Sequence, residues 1–347
     1  MNPRLTLALS AAVIAAGVAH AQVKVNDSLT LTGWAVGSYQ YTQPQNLPSF
    51  DSLNLDAALL SAVVTPTKGL TATISTYYRP SAEGGVSPGG SEATILDAYL
   101  SYDAGGGLTL SAGKFLSYLG YESFYFNLDN MISLANQQLL APIPGYHDGV
   151  KFDFAVDKTL TVGAALVDAL YQKPGYAATA ADGELKHNAG FEAYLSYTGV
   201  PNLTVWAGVG YQTKTKPGFD TSGIVDPHGS EVTVADVWAS YTIDKSSTLA
   251  LEEIYKDGGT GNKGSNWLAY YQYKFSDKAY SWFCVSGENV SEGGPRYVKY
   301  SVAPTFVVNS NLSVRAQYSY TDYKNYWVGG TSVPSANFVG AEVILSF

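Results

Sequence analysis

The sequence predicts an all-β chain, a transmembrane antiparallel up-and-down β-barrel of about 16 strands with short turns at one rim and long loops at the other. Three observations carry this reading. Apolar residues recur with period two from Ser28 onward, the signature of strands rather than helices. Most alternating stretches run 10 to 15 residues. A tilted membrane strand needs about 9–11, whereas strands of soluble folds mostly have about five or six. Tight turns and longer polar links then alternate along the chain, the rhythm of outer-membrane barrels.

Composition narrows the alternatives. Only 14% of the 347 residues are Asp, Glu, Lys or Arg, while aromatics reach 13%, with 27 Tyr, and Gly numbers 35. A soluble chain usually carries roughly 25% charged residues, and a disordered one has few aromatics and much charge. One cysteine excludes a disulfide scaffold and any Cys-based zinc or iron–sulfur site. A net charge of −9 argues against nucleic acid as a partner, because that footprint is basic.

Residues 1–21 read as a secretory signal peptide that is cleaved. Arg4 gives the positive start, Leu5 to Ala19 the apolar run, and Ala19-His20-Ala21 the small-residue cleavage motif. The apolar run falls short of the ~20 residues a membrane helix needs. Cleavage before Gln22 removes Arg4 and leaves 19 basic against 29 acidic residues, a net of −10. Residues 22–347 read as a single barrel domain, with no linker, charge block or composition shift.

The strands fall, in order, near 28–42, 52–65, 69–79, 92–103, 107–119, 146–156, 159–171, 186–198, 202–214, 230–243, 247–257, 265–276, 279–290, 296–308, 311–323 and 335–347. Alternation is clearest in the fifteenth. There Leu312, Val314, Ala316, Tyr318 and Tyr320 oppose Ser313, Arg315, Gln317, Ser319 and Thr321. Tight turns such as Pro66–Lys68, Gly199–Pro201 and Asn309–Ser310 carry the residues that turns demand. Longer links, at 43–51, 80–91, 120–145, 172–185, 215–229 and 324–334, place both termini on the short-turn, periplasmic side. One apolar face per strand suffices in a membrane, since lipid covers the outside and closure pairs every backbone group. Tyr at strand ends (Tyr39, Tyr41, Tyr77, Tyr78, Tyr211, Tyr271, Tyr273, Tyr318 and Tyr320) fits the aromatic girdles of such barrels. The chain ends on Phe347 after alternating Ala341, Val343 and Leu345. That ending resembles the C-terminal signature through which the barrel-assembly machinery recognises its clients.

The stretch from Leu96 to Phe152 carries recognisable words: Asp97-Ala98-Tyr99-Leu100, Ser111-Ala112-Gly113-Lys114-Phe115, Gly120-Tyr121-Glu122, and Pro142-Ile143-Pro144-Gly145-Tyr146-His147-Asp148-Gly149-Val150. They resemble the putative β-barrel porin-2 family of bacterial outer-membrane proteins. In that family a GKF…GYE strand enters a long loop and a P…H-x-G strand leaves it. The close match covers about 55 residues. Asp148 stands where the family pattern leads one to expect Thr or a similar small residue. The resemblance implies an outer-membrane pore with no defined substrate.

The expected function is therefore a porin passing small hydrophilic solutes or ions by diffusion, with outer-membrane lipids around it. A plugged structural or surface-interaction barrel is the alternative. A homo-trimer stays open by analogy with porins of this size. The 120–145 loop is too apolar for water, with Phe124, Tyr125, Phe126, Leu128, Met131, Ile132, Leu134, Leu139 and Leu140. We expect it to fold inward and narrow the lumen, with a short helix over Asp129–Gln138. Pore-lining or constriction candidates are Asp97, Lys114, Glu122, Asp129, Lys151, Asp153, Glu192, Asp236 and Arg315, with Asp56, Glu252 and Glu342 sharing the inward parity. Lys114 joins them only if a bulge shifts its register. Lumen acids outnumber bases in this set, which favours cations. Small inward residues such as Thr30, Thr32, Thr71, Thr73, Gly208 and Gly210 leave room in the lumen.

No catalytic residues, cofactor or metal are expected. His147, His187 and His228 lack a Ser–His arrangement with an orienting group. Gly258 to Ser265 lacks P-loop spacing. Glu252 and Glu253 face opposite sides of a strand, and Cys284 reads as an apolar filler.

Overall fold

The computed structural model describes residues 22–78, 93–122, 128–135, 139–171, 189–213, 231–259 and 262–347. The signal-peptide reading of residues 1–21 lies outside them, as do Phe124, Tyr125, Phe126, His187 and His228.

Sixteen long strands form the wall. They are β1 (Leu29–Pro44), β2 (Phe50–Thr67), β3 (Leu70–Tyr78), β4 (Ala93–Gly105), β5 (Leu108–Leu116), β6 (Tyr146–Ala155), β7 (Leu160–Val167) and β8 (Gly190–Tyr197). Then come β9 (Leu203–Gln212), β10 (Val232–Thr242), β11 (Ser247–Asp257), β12 (Lys263–Ser276), β13 (Ala279–Val290), β14 (Arg296–Asn309), β15 (Leu312–Lys324) and β16 (Ser335–Ser346). Each pairs antiparallel with its sequence neighbours, and β16 pairs with β1, so the sheet closes. Closure leaves no unpaired edge for hydrocarbon to penalise. Two short ladders accompany the wall: Val23–Lys24 folds onto β1, and Trp327–Val328 pairs Thr331–Ser332.

Period two becomes two faces. Leu53, Leu100, Val209, Val237, Tyr300 and Val343 are exposed, whereas Val36, Trp206, Ile254 and Leu268 are buried. The exposed set is the outer, lipid-facing surface. Tyr77, expected at the girdle, points inward, where it meets Trp34 edge-on at 6.1 Å. Its parity follows Ser75, which bonds Ser61 across the inner wall.

The short turns are built locally. Gly69, at φ +83°, makes the tight reversal between β2 and β3 that a side chain would resist. In the β6–β7 turn the Asp157 carboxylate accepts from the Thr159 and Leu160 amides and the Thr159 hydroxyl. Those bonds hold its carboxyl below the usual range. At the seam, Gly33 and Phe347 exchange both backbone hydrogen bonds at 2.8 Å. A Cβ on Gly33 would collide with the Phe347 ring.

Candidate functional site

The segment leaving β5 enters the barrel because the inner wall offers it both an apolar bed and hydrogen-bonding partners. Leu119 and Ile143 pack with Trp206, Trp238, Val232, Val234 and Ile254. Met131 and Ala135 pack with Leu268, Tyr270, Trp282 and Cys284. Burying each large apolar side chain is worth about 1.5–3 kcal/mol. Beneath the segment the rings form a ladder. Tyr194 stacks on Trp206 at 5.8 Å, Trp206 on Trp238 at 6.0 Å, and Tyr121 meets Trp238 edge-on at 5.4 Å.

Wall carboxylates then take up the segment's amides in sequence. Glu192 on β8 accepts from the Ser117 hydroxyl at 2.6 Å and the Tyr118 amide at 2.9 Å. Asp236 on β10 accepts from the Gly120 amide at 2.7 Å, and Glu252 on β11 from the Tyr121 amide. On β13, Glu288 accepts from the Leu139 and Leu140 amides at 2.9 and 2.8 Å. Wall cations take the carbonyls. Lys299 on β14 reaches Ser133 O and Leu134 O at 3.2 and 2.9 Å, and Lys256 on β11 reaches Leu140 O at 3.0 Å. The described parts of segment 117–145 are thus fastened to the inner wall between β8 and β15. Charge-assisted bonds of this kind contribute roughly 1.5–3 kcal/mol each when buried.

The expected helix over Asp129–Gln138 is absent from its described part, where residues 128–135 form turns and bends. The wall replaces the helical bonds. Gln317 on β15 accepts from the Ile132 and Ser133 amides, and Glu122 accepts from the Ala135 amide. Ser286 donates to Ala135 O at 2.7 Å. With these groups satisfied from outside, nothing drives them into a helix.

The candidate residues divide into groups. Glu192 and Asp236 anchor the segment. Glu122 also accepts from the Tyr270 hydroxyl and is buried beneath it, and Asp129 is buried as well. Arg315 pairs with Glu342 at 2.8 Å, side by side on β15 and β16. On the wall away from the anchors, Asp97 stands opposite Ser75, and Asp56 accepts from Ser38 and Gln40 at 3.0 and 3.1 Å. The Lys151 ammonium lies 4.9 Å from the ring centres of Phe115 and Tyr118. Asp153 accepts from the Tyr118 and Tyr194 hydroxyls at 3.1 and 2.8 Å.

Lys114 is a correction. The β5–β6 ladder runs unbroken from Ser111↔Lys151 to Phe115↔His147, so no bulge shifts it. Lys114 therefore shares the outward face with Leu110 and Ala112. Gly208 and Gly210 are another. A Cβ on either would press on Leu119, so these small residues make room for the segment rather than for solvent. His147 is enclosed between Ala169 O at 2.9 Å and Glu192 at 3.0 Å. That arrangement clamps the segment's root and presents no nucleophile–base pair. No group of three metal-ligating side chains comes together among the described residues.

Sequence reasoning missed Lys256, Glu288, Lys299 and Gln317. All four have inward parity on strands whose other face is lipid, which is the signal that could have found them.

A family model described as "Putative beta-barrel porin-2, OmpL-like" matches residues 82–347. The chain belongs to this porin family. It is an outer-membrane β-barrel, and solved porins share its architecture. OmpF of Salmonella typhi, in complex with daunomycin, superposes with a TM-score of 0.68 at 13% identity, covering 94% of this chain and 100% of that one. An anion-selective porin from Comamonas acidovorans gives 0.64 at 13%, covering 92% and 99%. The trimer form of Vibrio cholerae OmpT gives 0.61 at 17%, covering 92% and 100%. Identities this low speak for the fold alone. No curated protein matches the sequence.

Proposed function

We propose that this porin passes small hydrophilic solutes or ions by diffusion through the part of the lumen that segment 117–145 leaves free. The observation that carries the reading is the fastening of that segment to β8–β15. It occupies one side of the interior and leaves the β1–β5 wall opposite. There the inward positions toward the short-turn rim are hydroxylic, Thr30, Thr32, Ser61, Thr71, Thr73 and Ser111, while Trp34, Val36, Leu59 and Tyr77 form an apolar cluster farther along the same wall. The segment narrows the lumen, and the residues facing the remaining passage set its preference.

Glu192, Asp236, Glu252 and Glu288 spend oxygens on the segment's amides, and Glu342 on Arg315. A carboxylate keeps its charge when it accepts hydrogen bonds, so Asp56, Asp97 and Asp153 act on a passing ion together with these anchored acids, with Lys151, Lys256, Lys299 and Arg315 against them. Mild cation preference follows. No enzymatic step is assigned to this interior. Copies of the chain assemble as a trimer, in line with the trimer form of Vibrio cholerae OmpT.

A plugged barrel is the second reading, favoured by the burial of the inner rings, Trp206 at 1% and Tyr270 at 0% exposure. Refolded protein in a planar bilayer under a salt gradient separates the two. Discrete conductance steps with a cation-side reversal potential support the porin. Silence from protein that keeps a heat-dependent gel mobility refutes it and selects the plug.

A further inference from the structure

Two opposite charges stand on β6 without meeting. Lys151 and Asp153 are two residues apart on the same inward face, and both are half-buried. About 7 Å of strand separates their Cα atoms. The lysine points away from the aspartate. Along its row lie the register pair Gly113↔Gly149 and then Phe115↔His147, and the two glycines put no side chain in its way. The ammonium rests 4.9 Å from the ring centres of Phe115 and Tyr118 and 5.9 Å from that of Tyr99.

Asp153 is held from the other side. The hydroxyls of Tyr118 and Tyr194 both reach Oδ1, at 3.1 and 2.8 Å. Tyr118 thus stands between the charges, with its ring against the lysine and its hydroxyl on the aspartate. Neither charge is spent. Rings attract an ammonium but offer no lone pair to its three donors. Among the described residues Lys151 has no ion pair and no hydrogen bond, and Asp153 Oδ2 accepts none. The other lumen cations are committed: Arg315 to Glu342 at 2.8 Å, Lys256 and Lys299 to carbonyls of the segment. Beside Lys151 its register partner Ser111 lies 2.7 Å from the Ser101 hydroxyl, a polar floor. All of this sits where the segment's root, at Tyr118, meets the β4–β6 wall.

We propose that Lys151 and Asp153 form a subsite for a small zwitterion, its carboxylate on the Lys151 ammonium and its own ammonium on Asp153 Oδ2. An amino acid or a short peptide has this chemistry. A singly charged ion serves one of the two groups, whereas a zwitterion serves both at once, and the half-buried rings of Tyr99 and Tyr118 flank its carbon chain. Bonds assisted by charge are roughly twice as strong as neutral ones, so making both outweighs making either. The subsite rests on the lumen being a passage and deepens that reading by naming a solute class.

The test is the single-channel current of the full chain in potassium chloride with added β-alanine, propionate or propylammonium. The three share a carbon chain and differ in charge. We expect β-alanine to halve the wild-type current at a concentration at least tenfold below either of the others. Asp153→Asn keeps an oxygen for the two tyrosine hydroxyls and loses the charge, and Lys151→Met keeps the packing on the rings. In D153N and in K151M β-alanine should need at least tenfold more, while Lys151→Arg, which keeps the charge, should retain the block. Heat-dependent gel mobility reports folding of each, and if K151M does not fold, D153N decides. Propionate as effective as β-alanine, with D153N indifferent, means an anion contact only and overturns the proposal. A β-alanine block that neither variant moves also overturns it. Channels that open in salt but ignore all three solutes remove this subsite and leave the porin, whereas silence in salt alone removes both.

Discussion

Replacing Glu288 by Gln tests whether wall carboxylates hold the inner segment. Oε2 of Glu288 accepts from the Leu139 and Leu140 amides at 2.9 and 2.8 Å, and Oε1 accepts from the Tyr297 hydroxyl at 2.8 Å. The residue is buried, so little water is at hand to replace these bonds. Glutamine keeps the shape and one acceptor but removes the charge, and its amide nitrogen must now face a donor. Each charge-assisted bond is worth about 1.5–3 kcal/mol and a neutral one about 1 kcal/mol. Loss of charge on two bonds therefore weakens local docking by about 2 kcal/mol, close to a 30-fold shift at 1.4 kcal/mol per decade. Local opening governs amide exchange. Exchange at Leu139 and Leu140 should accelerate about 30-fold in E288Q, while Ala62, paired between β1 and β3, stays unchanged. Exchange at 139–140 equal to wild type would refute the anchoring argument.

Other predictions follow from the same geometry. In Gly210→Val the new Cβ meets Leu119 and Leu170 at 3.1 Å, so the segment's root should lift and tryptophan emission from Trp206 and Trp238 should shift red. Asp56→Asn with Asp97→Asn should move the reversal potential in a salt gradient toward zero, because two lumen acids are lost. Removing Phe347 deletes the reciprocal pairing with Gly33 and should slow barrel assembly into vesicles several-fold, read by the appearance of the heat-modifiable band.

The strands were legible because lipid on one side and the interior on the other write a period of two that needs no distant information. Ser247–Asp257 and Ala279–Val290 have the bounds the alternation predicts. The inward turn of the long loop was legible from its leucines and Met131, which water would not tolerate. Its fastening was not. Tyr118 meets Glu192 across 74 positions and Ile132 meets Gln317 across 185, separations that no local pattern encodes. The helix expected over Asp129–Gln138 failed for the same reason, because bonds from β13, β14 and β15 outcompeted local ones. Lys114 was readable all along: its parity matched Leu110 and Ala112, and only the assumption that charge must face water argued otherwise.

The most direct measurement compares single-channel conductance of the full chain with that of a chain in which residues 123–138 are replaced by a short Gly-Ser link. The wild type should open in discrete, salt-proportional steps, and the shortened chain in steps at least twofold larger, as the proposed narrowing requires. Equal steps from both chains would contradict the constriction, and no steps from either would contradict the porin.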